Sequence, residues 1–564
     1  MVIKICFLFL MIVPCLLLAQ GGKDYGQFAP ADAWNEDSTL AYYGSENEWT
    51  RRMFTEIRGH TQYKRRGQRQ MLAIQEGRPD LAVEYCKKRL IKDPTDSETY
   101  YMLTVAWSQL GEIDSAMKAM NQALELGISF DRFLAGPRDM LKPLTQSEPF
   151  TELMKKESLQ IIHGPLIGAV TDSSARFWLR TVDEIQIGIN VFDDSKGNNP
   201  VTYSTGVTRS ELDYTSIIEI TGLEANRTYY YDILVGSESY FVDTVPSFKT
   251  YPGKKESAQF KIGFGGGAGF TPHHEYIWNT IAEQKLSGFF FLGDNVYIDV
   301  PEIPGPVHHY TYYRRQSQPE FKRLVQTTPV YAIWDDHDCA MDDVWMGPYK
   351  NKPVWKMPTL DLFRNNWNNP AYGTDNWPGC WIRFSLADVD FIMLDGRFYR
   401  SNPFADEKTM LGPAQKAWLL EELSQSTATF KVLVSPVPWA DGAKPGSIDT
   451  WAGFPEERDE IYSLIENKNI NGVLLLSADR HRSDAWKINR ENGYDFYEFE
   501  SSRLTNMHTH EVMPDALFGY NEKCSFGMLH FDTTREDPTV TYEIMNIDGE
   551  SIESLEVKLS QVSH

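Results

Sequence analysis

Four short strings in the C-terminal half set carboxylates and imidazoles directly after apolar runs: GDNVYID at 293–299, WDDHD at 334–338, MLDGRFYR at 393–400 and LSADRH at 476–481. Carboxylate oxygen, phenolate and imidazole are ligands for hard and borderline cations. An apolar strand followed at once by such groups is how a site is assembled at the carboxyl ends of a sheet. The candidates are Asp294 and Tyr297, then Asp335, Asp336 and His337, then Arg397, and last Asp479 and His481. The chemistry they suit is hydrolysis of a phosphate ester at two cations, with one carboxylate, assigned to Asp294, bridging them.

Singly, each string is modest evidence, since Gly-Asp occurs in ordinary turns and Asp-rich segments in surface loops. Together they weigh more, because Asp335, Asp336, His337 and Asp338 packed at one strand end repel unless cations or partners separate them. Arg397 has two readings: a bidentate grip on phosphate oxygens, or an ion pair with Asp395. The glycines of FKIGFGGG at 260–267 lack the Lys-Ser/Thr of a nucleotide loop, so the backbone there is expected to approach the centre itself. There is no GxSxG nucleophile elbow.

The elements that must position these groups follow from length and periodicity. A chain of 564 residues divides into roughly three domains. Residues 66–157 read as helical, with an echo at a period of about 34 that is similar to a tetratricopeptide repeat. Trp107, Leu110, Gly111, Ala116 and Ala123 stand at its packing positions, with a weaker copy at Gly77, Pro79, Ala82, Leu90 and Pro94. Two copies are fewer than an independent solenoid needs, so the module should pack on its neighbour, as a structural cap or as a scaffold for a protein partner.

From 158 to 252 the period falls to two, giving a β-sandwich, and GLEANRTYYYDI at 222–233 resembles the end of a fibronectin III-like module, which implies Leu223 in the core and Tyr229 at a corner. A linker at 251–258 leads into the domain at 258–560 that carries the four strings. The tail beyond 510 is expected to add edge strands, and the aromatic insert at 300–330 and 340–380 either packs as core or stacks a substrate. The fold class is therefore multidomain α+β.

Residues 1–20 read as a signal peptide, implying export to the periplasm or medium, and 21–65 as an extension. Cys86, Cys339, Cys380 and Cys524 are too scattered for a disulfide framework. A net charge of -23 excludes a general nucleic-acid binder, and no other stretch has the length of a membrane span.

Gly293-Asp294-x-x-Tyr297-x-Asp299, Trp334-Asp335-Asp336-His337, Leu394-Asp395-x-Arg397 and Asp479-x-His481 together resemble the alkaline phosphatase D (PhoD-like) family, as does the helix LGPAQKAWLLEEL at 411–423. The resemblance covers about 160–510. It implies a metallophosphoesterase αββα sandwich after a small β-sandwich, and a centre of Fe3+ and Ca2+ held by Asp294, Tyr297, Asp336, Asp479 and His481. His337 would stand beside the leaving oxygen, with Arg397 and Asp335 completing the catalytic set. One departure weakens the case for iron: the family's Cys ligand after the first strand is replaced by glycine near Gly267. His273, His274 or Cys339 are possible substitutes.

Two other readings stand beside this one. Purple acid phosphatases share a sandwich and Gly-Asp-x-x-Tyr, but their later Gly-Asn-His and Gly-His-x-His are Asp-Asp-His and Ala-Asp-Arg-His here. A non-catalytic scaffold with a silenced metal site is the third.

Overall fold

The structure, a computed structural model, describes residues 63–564 except 158, 242 and 243. The expected signal peptide and nearly all of the 21–65 extension lie outside the described residues.

Helices Gln68–Gln75, Pro79–Lys92, Ser97–Gln109 and Ile113–Glu125 open the described chain as two hairpins. Their punctuation is local. Pro79 begins the second helix, the Asp96 side chain accepts from Thr99 N at 3.1 Å to cap the third, and Gly77 and Gly111 turn at φ 75° and 74°. Ala82, Ala116 and Ala123 are buried, as the close helix approach requires, but Leu110 is exposed. It sits at the helix end, where the chain has already turned away from the core.

The first face of this module is covered. Tyr310 and Arg314 of helix Pro306–Gln316 donate to the Arg66 carbonyl at 2.8 and 2.9 Å, and Tyr310 also reaches Glu98. The aromatic insert is therefore core rather than a stacking platform at these positions: Tyr310, Tyr312 and Tyr313 are all buried.

A β-sandwich follows. One sheet joins β1 (Ile161–Gly168), β2 (Ser174–Thr181) and β5 (Thr215–Thr221); the other joins β3 (Gln186–Phe192), β4 (Pro200–Val207), β6 (Thr228–Val235), β7 (Glu238–Ser239) and β8 (Ser247–Lys249). Leu223 is buried and the Tyr229 hydroxyl accepts from Glu224 N at 2.9 Å, tying the corner.

Two larger sheets make up the rest. The first has the order β11-β10-β9-β19-β20-β21, from β9 (Gln259–Gly265), β10 (Gly288–Leu292), β11 (Val330–Ile333), β19 (Ser525–Asp532), β20 (Thr539–Asn546) and β21 (Ser551–Lys558). The second runs β12-β13-β14-β15-β17-β16-β18, from β12 (Ile382–Leu386), β13 (Val389–Met393), β14 (Phe430–Val434), β15 (Val473–Ser477), β16 (Ser483–Ile488), β17 (Phe496–Ser501) and β18 (Phe518–Tyr520). They face each other through Phe290 on Phe391, 5.0 Å between ring centroids, and Phe499 on Tyr542, 4.5 Å. Phe291, on the opposite face of β10, packs under Trp278 and Phe321 of two covering helices.

Strands β10, β11, β13, β14 and β15 are fully buried along their length, which is why they read as mostly apolar runs, whose only charged residues are Asp390 in β13 and Lys431 in β14. The tail adds the edge strands β18 and β21, as expected, but also two inner ones, β19 and β20. Strand β19 is not an edge; it fills the middle of the first sheet, antiparallel to both β9 and β20, because β9 spends only one side on β10.

Candidate metal centre

In the first sheet β9, β10 and β11 are parallel, and in the second β13, β14 and β15 are parallel. The loops after these strands meet across the two sheets. After β10, Gly293 (φ 104°) and Asp294 (φ 52°) turn the chain so sharply that a Cβ on Gly293 would enter Asp335. After β15, Asp479 and His481 also take positive φ, 74° and 49°. Non-glycine residues in that region are strained, and strain of this kind collects where side chains must be aimed.

The loops bring together two overlapping sets of ligand atoms. Those of Asp294, Asp336 and His337 lie within 4.8 Å of one another, as do those of Asp336, Asp343 and Asp449. Asp336 is common to both, whereas the sequence reading gave the bridging position to Asp294. The Tyr297 hydroxyl donates to Asp294 Oδ2 at 2.7 Å and lies 3.3 Å from His481 Nε2, which is 3.7 Å from the same carboxylate. Asn506 Nδ2 donates to the Tyr297 oxygen at 2.7 Å.

The electrostatics suit cations. Burial pushes the Asp294 carboxyl up to about 7, and raises Asp335, Asp336 and Asp338 as well. Asp294 Oδ1 and Asp343 Oδ2 are buried without a hydrogen-bond partner. A carboxylate held dry with an empty lone pair is costly unless a cation completes it. The donor set therefore fits metal ions, and oxygen-only Asp336, Asp343 and Asp449 fit a hard one.

His337 stands against Asp299 Oδ1 at 2.5 Å through Nδ1 and against Asp342 Oδ1 at 3.1 Å through Nε2. Burial alone would lower its pKa, but Asp299, Asp336 and Asp294 outweigh it and hold the ring protonated. Asp479 is half-buried, and Lys444 and Arg480, at 3.8 and 3.4 Å, keep its carboxyl below the ordinary value. Lys444 also lies 3.6 Å from Asp343, linking Asp479 to the second set.

Three expectations change. Arg397 does not pair its side chain with Asp395, and its donors are on other carboxylates: fully buried, it donates from Nε to Asp335 at 2.5 Å and from both terminal nitrogens to Asp449 at 2.6 and 2.9 Å. With those donors committed, Arg397 and Asp335 form a pillar between the two sheets. Asp338 is likewise structural, accepting from the Asn295, Val296 and Asp335 amides. Gly267 cannot be the seat of a lost thiolate in this backbone: φ is 67° and a Cβ would overlap the Ser502 carbonyl oxygen.

Nor do the substitutes reach the acidic groups. Burial keeps the Cys339 thiol protonated, and it donates to the Asp335 carbonyl at 3.3 Å. His274 Nδ1 is engaged by the Thr505 carbonyl at 3.1 Å and Cys524 Sγ at 3.3 Å, and His273 packs on the His274 and Tyr63 rings. The glycine run does approach the centre, with Gly267 N donating to the Gly293 carbonyl at 3.2 Å and Ala268 N to that of Asp294 at 2.8 Å.

Several residues escaped the sequence reading. Asp342 and Asp343 follow WDDHD closely enough to have been counted with it, and His508-x-His510 is a visible ligand spacing. Asp449 and Lys64 gave no local signal; Lys64 Nζ arrives from the N-terminal segment to lie 3.9 Å from the Tyr297 ring centre.

Residues 263–523 match the PhoD-like phosphatase family, and 158–251 match a family described as a domain of unknown function (DUF7800). A curated relative, alkaline phosphatase D of Bacillus subtilis (strain 168), is 25% identical over 342 residues, 51% of this chain and 56% of that protein. The chain thus spans about half the length of that relative. Among solved structures, "Structure of PhoD" superposes with TM-score 0.58 at 19% identity, over 71% of this chain and 92% of that one. Purple acid phosphatase PPD1 from yellow lupin (Lupinus luteus) gives 0.51 at 12%, over 71% and 75%. Both superpositions concern the fold alone. With the family match spanning the loops after β10, β11, β13 and β15, residues 263–523 are a PhoD-like phosphatase domain.

Proposed function

We propose that the protein is a metal-dependent phosphoric ester hydrolase, acting on monoesters, diesters or both, and exported from the cell. The observation that carries this reading is the pair of buried ligand sets sharing Asp336, one of two carboxylates and an imidazole and one of three carboxylates, with unpartnered oxygens on Asp294 and Asp343.

Asp294, Tyr297, Asp336 and His481 would hold one cation, with Asp479 closing the shell from the β15 loop; Asp336, Asp343 and Asp449 would hold a second. Calcium suits the oxygen-only set, and phenolate with carboxylate suits a hard trivalent ion such as Fe3+, less firmly without a thiolate. Bound cations would supply Lewis-acid activation of water and neutralise charge developing on phosphorus.

The chain's own residues supply the rest. His337, held protonated between Asp299 and Asp342, keeps a proton at the centre for the leaving oxygen. Lys64, 3.9 Å from the Tyr297 ring centre, would when protonated offer a cation to substrate oxygens in the place expected of Arg397; burial lowers its pKa to about 7, so that charge is lost as pH rises above neutrality. Arg397 and Asp335 act as positioning residues, fixing the β11 and β13 loops against each other. The sandwich at 158–251 takes the place of the fibronectin III-like module that precedes such domains, and the tetratricopeptide-like hairpins act as a structural cap.

The test is elemental analysis of the purified protein beside hydrolysis of a chromogenic monoester and a chromogenic diester, with and without calcium. Bound metal with calcium-dependent turnover is expected. No metal and no turnover after reconstitution would leave the non-catalytic scaffold.

A further inference from the structure

Beside the acidic centre lies a second group of ligands, of which the proposed roles use only His481. The ligand nitrogens of His481, His508 and His510 are within 4.8 Å of one another. The rings converge, with centroids 5.2 Å apart for His481 and His508, 5.7 Å for His481 and His510, and 4.6 Å for His508 and His510. His481 is 6% exposed, and its Nδ1 is buried with no hydrogen-bond partner. Its other nitrogen, Nε2, faces Tyr297 and Asp294. A buried imidazole with one nitrogen spoken for and the other orphaned is an unfinished ligand.

The segment bearing the other two histidines is held in place. Thr509 Oγ1 donates to the His481 carbonyl at 2.9 Å, and Asn521 Nδ2 donates to the His510 carbonyl at 2.9 Å. Asn506 Oδ1 accepts from His508 N at 3.1 Å. His508 is exposed, which leaves a path from solvent. Arg480 and Lys64 oppose a cation there, and the carboxylates of Asp479 and Asp342 act the other way.

We propose that His481, His508 and His510 form a three-imidazole site for a borderline divalent cation of the zinc, cobalt or nickel kind, at the rim of the acidic centre; with both sites filled His481 would bridge them as an imidazolate, its ring proton released to solvent. The inference rests on the proposed metal centre only through His481. Three imidazoles with an open fourth position are a donor set for such ions, whereas calcium takes oxygen ligands. The site also offers a reason why the chain dispenses with a thiolate: nitrogen ligands enter from the loop after β17 rather than from the loop after β9.

The test uses the full chain stripped of metal and titrated with Co2+ alone, followed by equilibrium dialysis and by visible absorption, which reports nitrogen-rich low-coordinate cobalt. Wild type should bind one equivalent more than His508→Gln/His510→Gln and show a visible band that the double variant lacks. Excess Ca2+ should leave that band in place. Asp336→Asn, which breaks only the acidic sets, should keep the band. Equal stoichiometry and equal spectra for wild type and the double variant would overturn the proposal while leaving the acidic centre standing. Loss of hydrolysis and of oxygen-bound metal in Asp336→Asn is read separately, so the two readings fail independently. The single variants His508→Gln and His510→Gln, each on an incompletely buried ring, supply the same comparison if the double variant misfolds.

Discussion

Putting a cysteine at Gly267 is the direct way to ask whether this centre is a thiolate site that lost its ligand. The structure says that the substitution fails for steric reasons. A side chain at φ 67° costs about 1–2 kcal/mol. The new Cβ would overlap the Ser502 carbonyl oxygen, which is backbone and cannot rotate away. To relieve the overlap, the Gly267 carbonyl must move, and it accepts from Thr505 N at 3.3 Å and Asn506 N at 3.2 Å. Each of those bonds is worth about 1 kcal/mol net. The total is a loss of about 3–4 kcal/mol, read as a lower urea midpoint with unchanged slope. Gly267→Ala separates backbone from thiol and should lose nearly as much. A Gly267→Cys protein that unfolds at the wild-type midpoint and gains an equivalent of iron would refute the reasoning.

Four further outcomes are expected. Asp449→Asn removes the carboxylate shared by the buried guanidiniums of Arg397 and Arg400, and should cost about 3–5 kcal/mol in urea unfolding, with Arg400→Met/Asp449→Asn recovering part of it. Lys64→Met should raise KM for a phosphomonoester about tenfold or more, the effect of losing a charge-assisted contact, with metal content unchanged. Asp213 is half-buried, but Arg180, His309 and Tyr313 hold its carboxyl well below the ordinary range. A depressed carboxyl stabilises the fold above the ordinary Asp range and loses that contribution as pH falls below about 4, so Asp213→Asn should flatten the acid limb of a Tm-against-pH curve. Chelation should lower Tm, because an ion present at a hundred times its Kd contributes about 2.7 kcal/mol to the folded state.

The centre was legible where its chemistry is local. An apolar strand that stops at Asp-Asp-His declares itself within six residues, and Asp294, Tyr297, Asp336, His337 and His481 do meet. What failed were partners set by tertiary packing. Arg397 sits two residues from Asp395, but its side chain crosses to Asp335 and Asp449, 62 and 52 positions away in sequence. Gly267 looked like a deleted ligand because spacing carries no φ. Strand β19 read as an edge because alternation reports which face is buried, not which neighbours a strand has. Asp449 lies in a loop without period or motif, and only the fold gives it two arginines.

Gln68 Nε2 donates to the Tyr297 and Ile298 carbonyls at 2.5 and 3.1 Å, and Arg65 Nε meets Asp299 at 2.5 Å. The loop that carries Asp294 and Tyr297 is thus stapled to chain some 230 residues upstream. The limits of the phosphatase domain in sequence are not the limits of its working unit. Residues 263–523 cut out alone would leave behind Lys64, Arg65 and Gln68, and with them one wall of the centre. Anything that displaces the first helix from helix Pro306–Gln316 would therefore open the centre from outside residues 263–523.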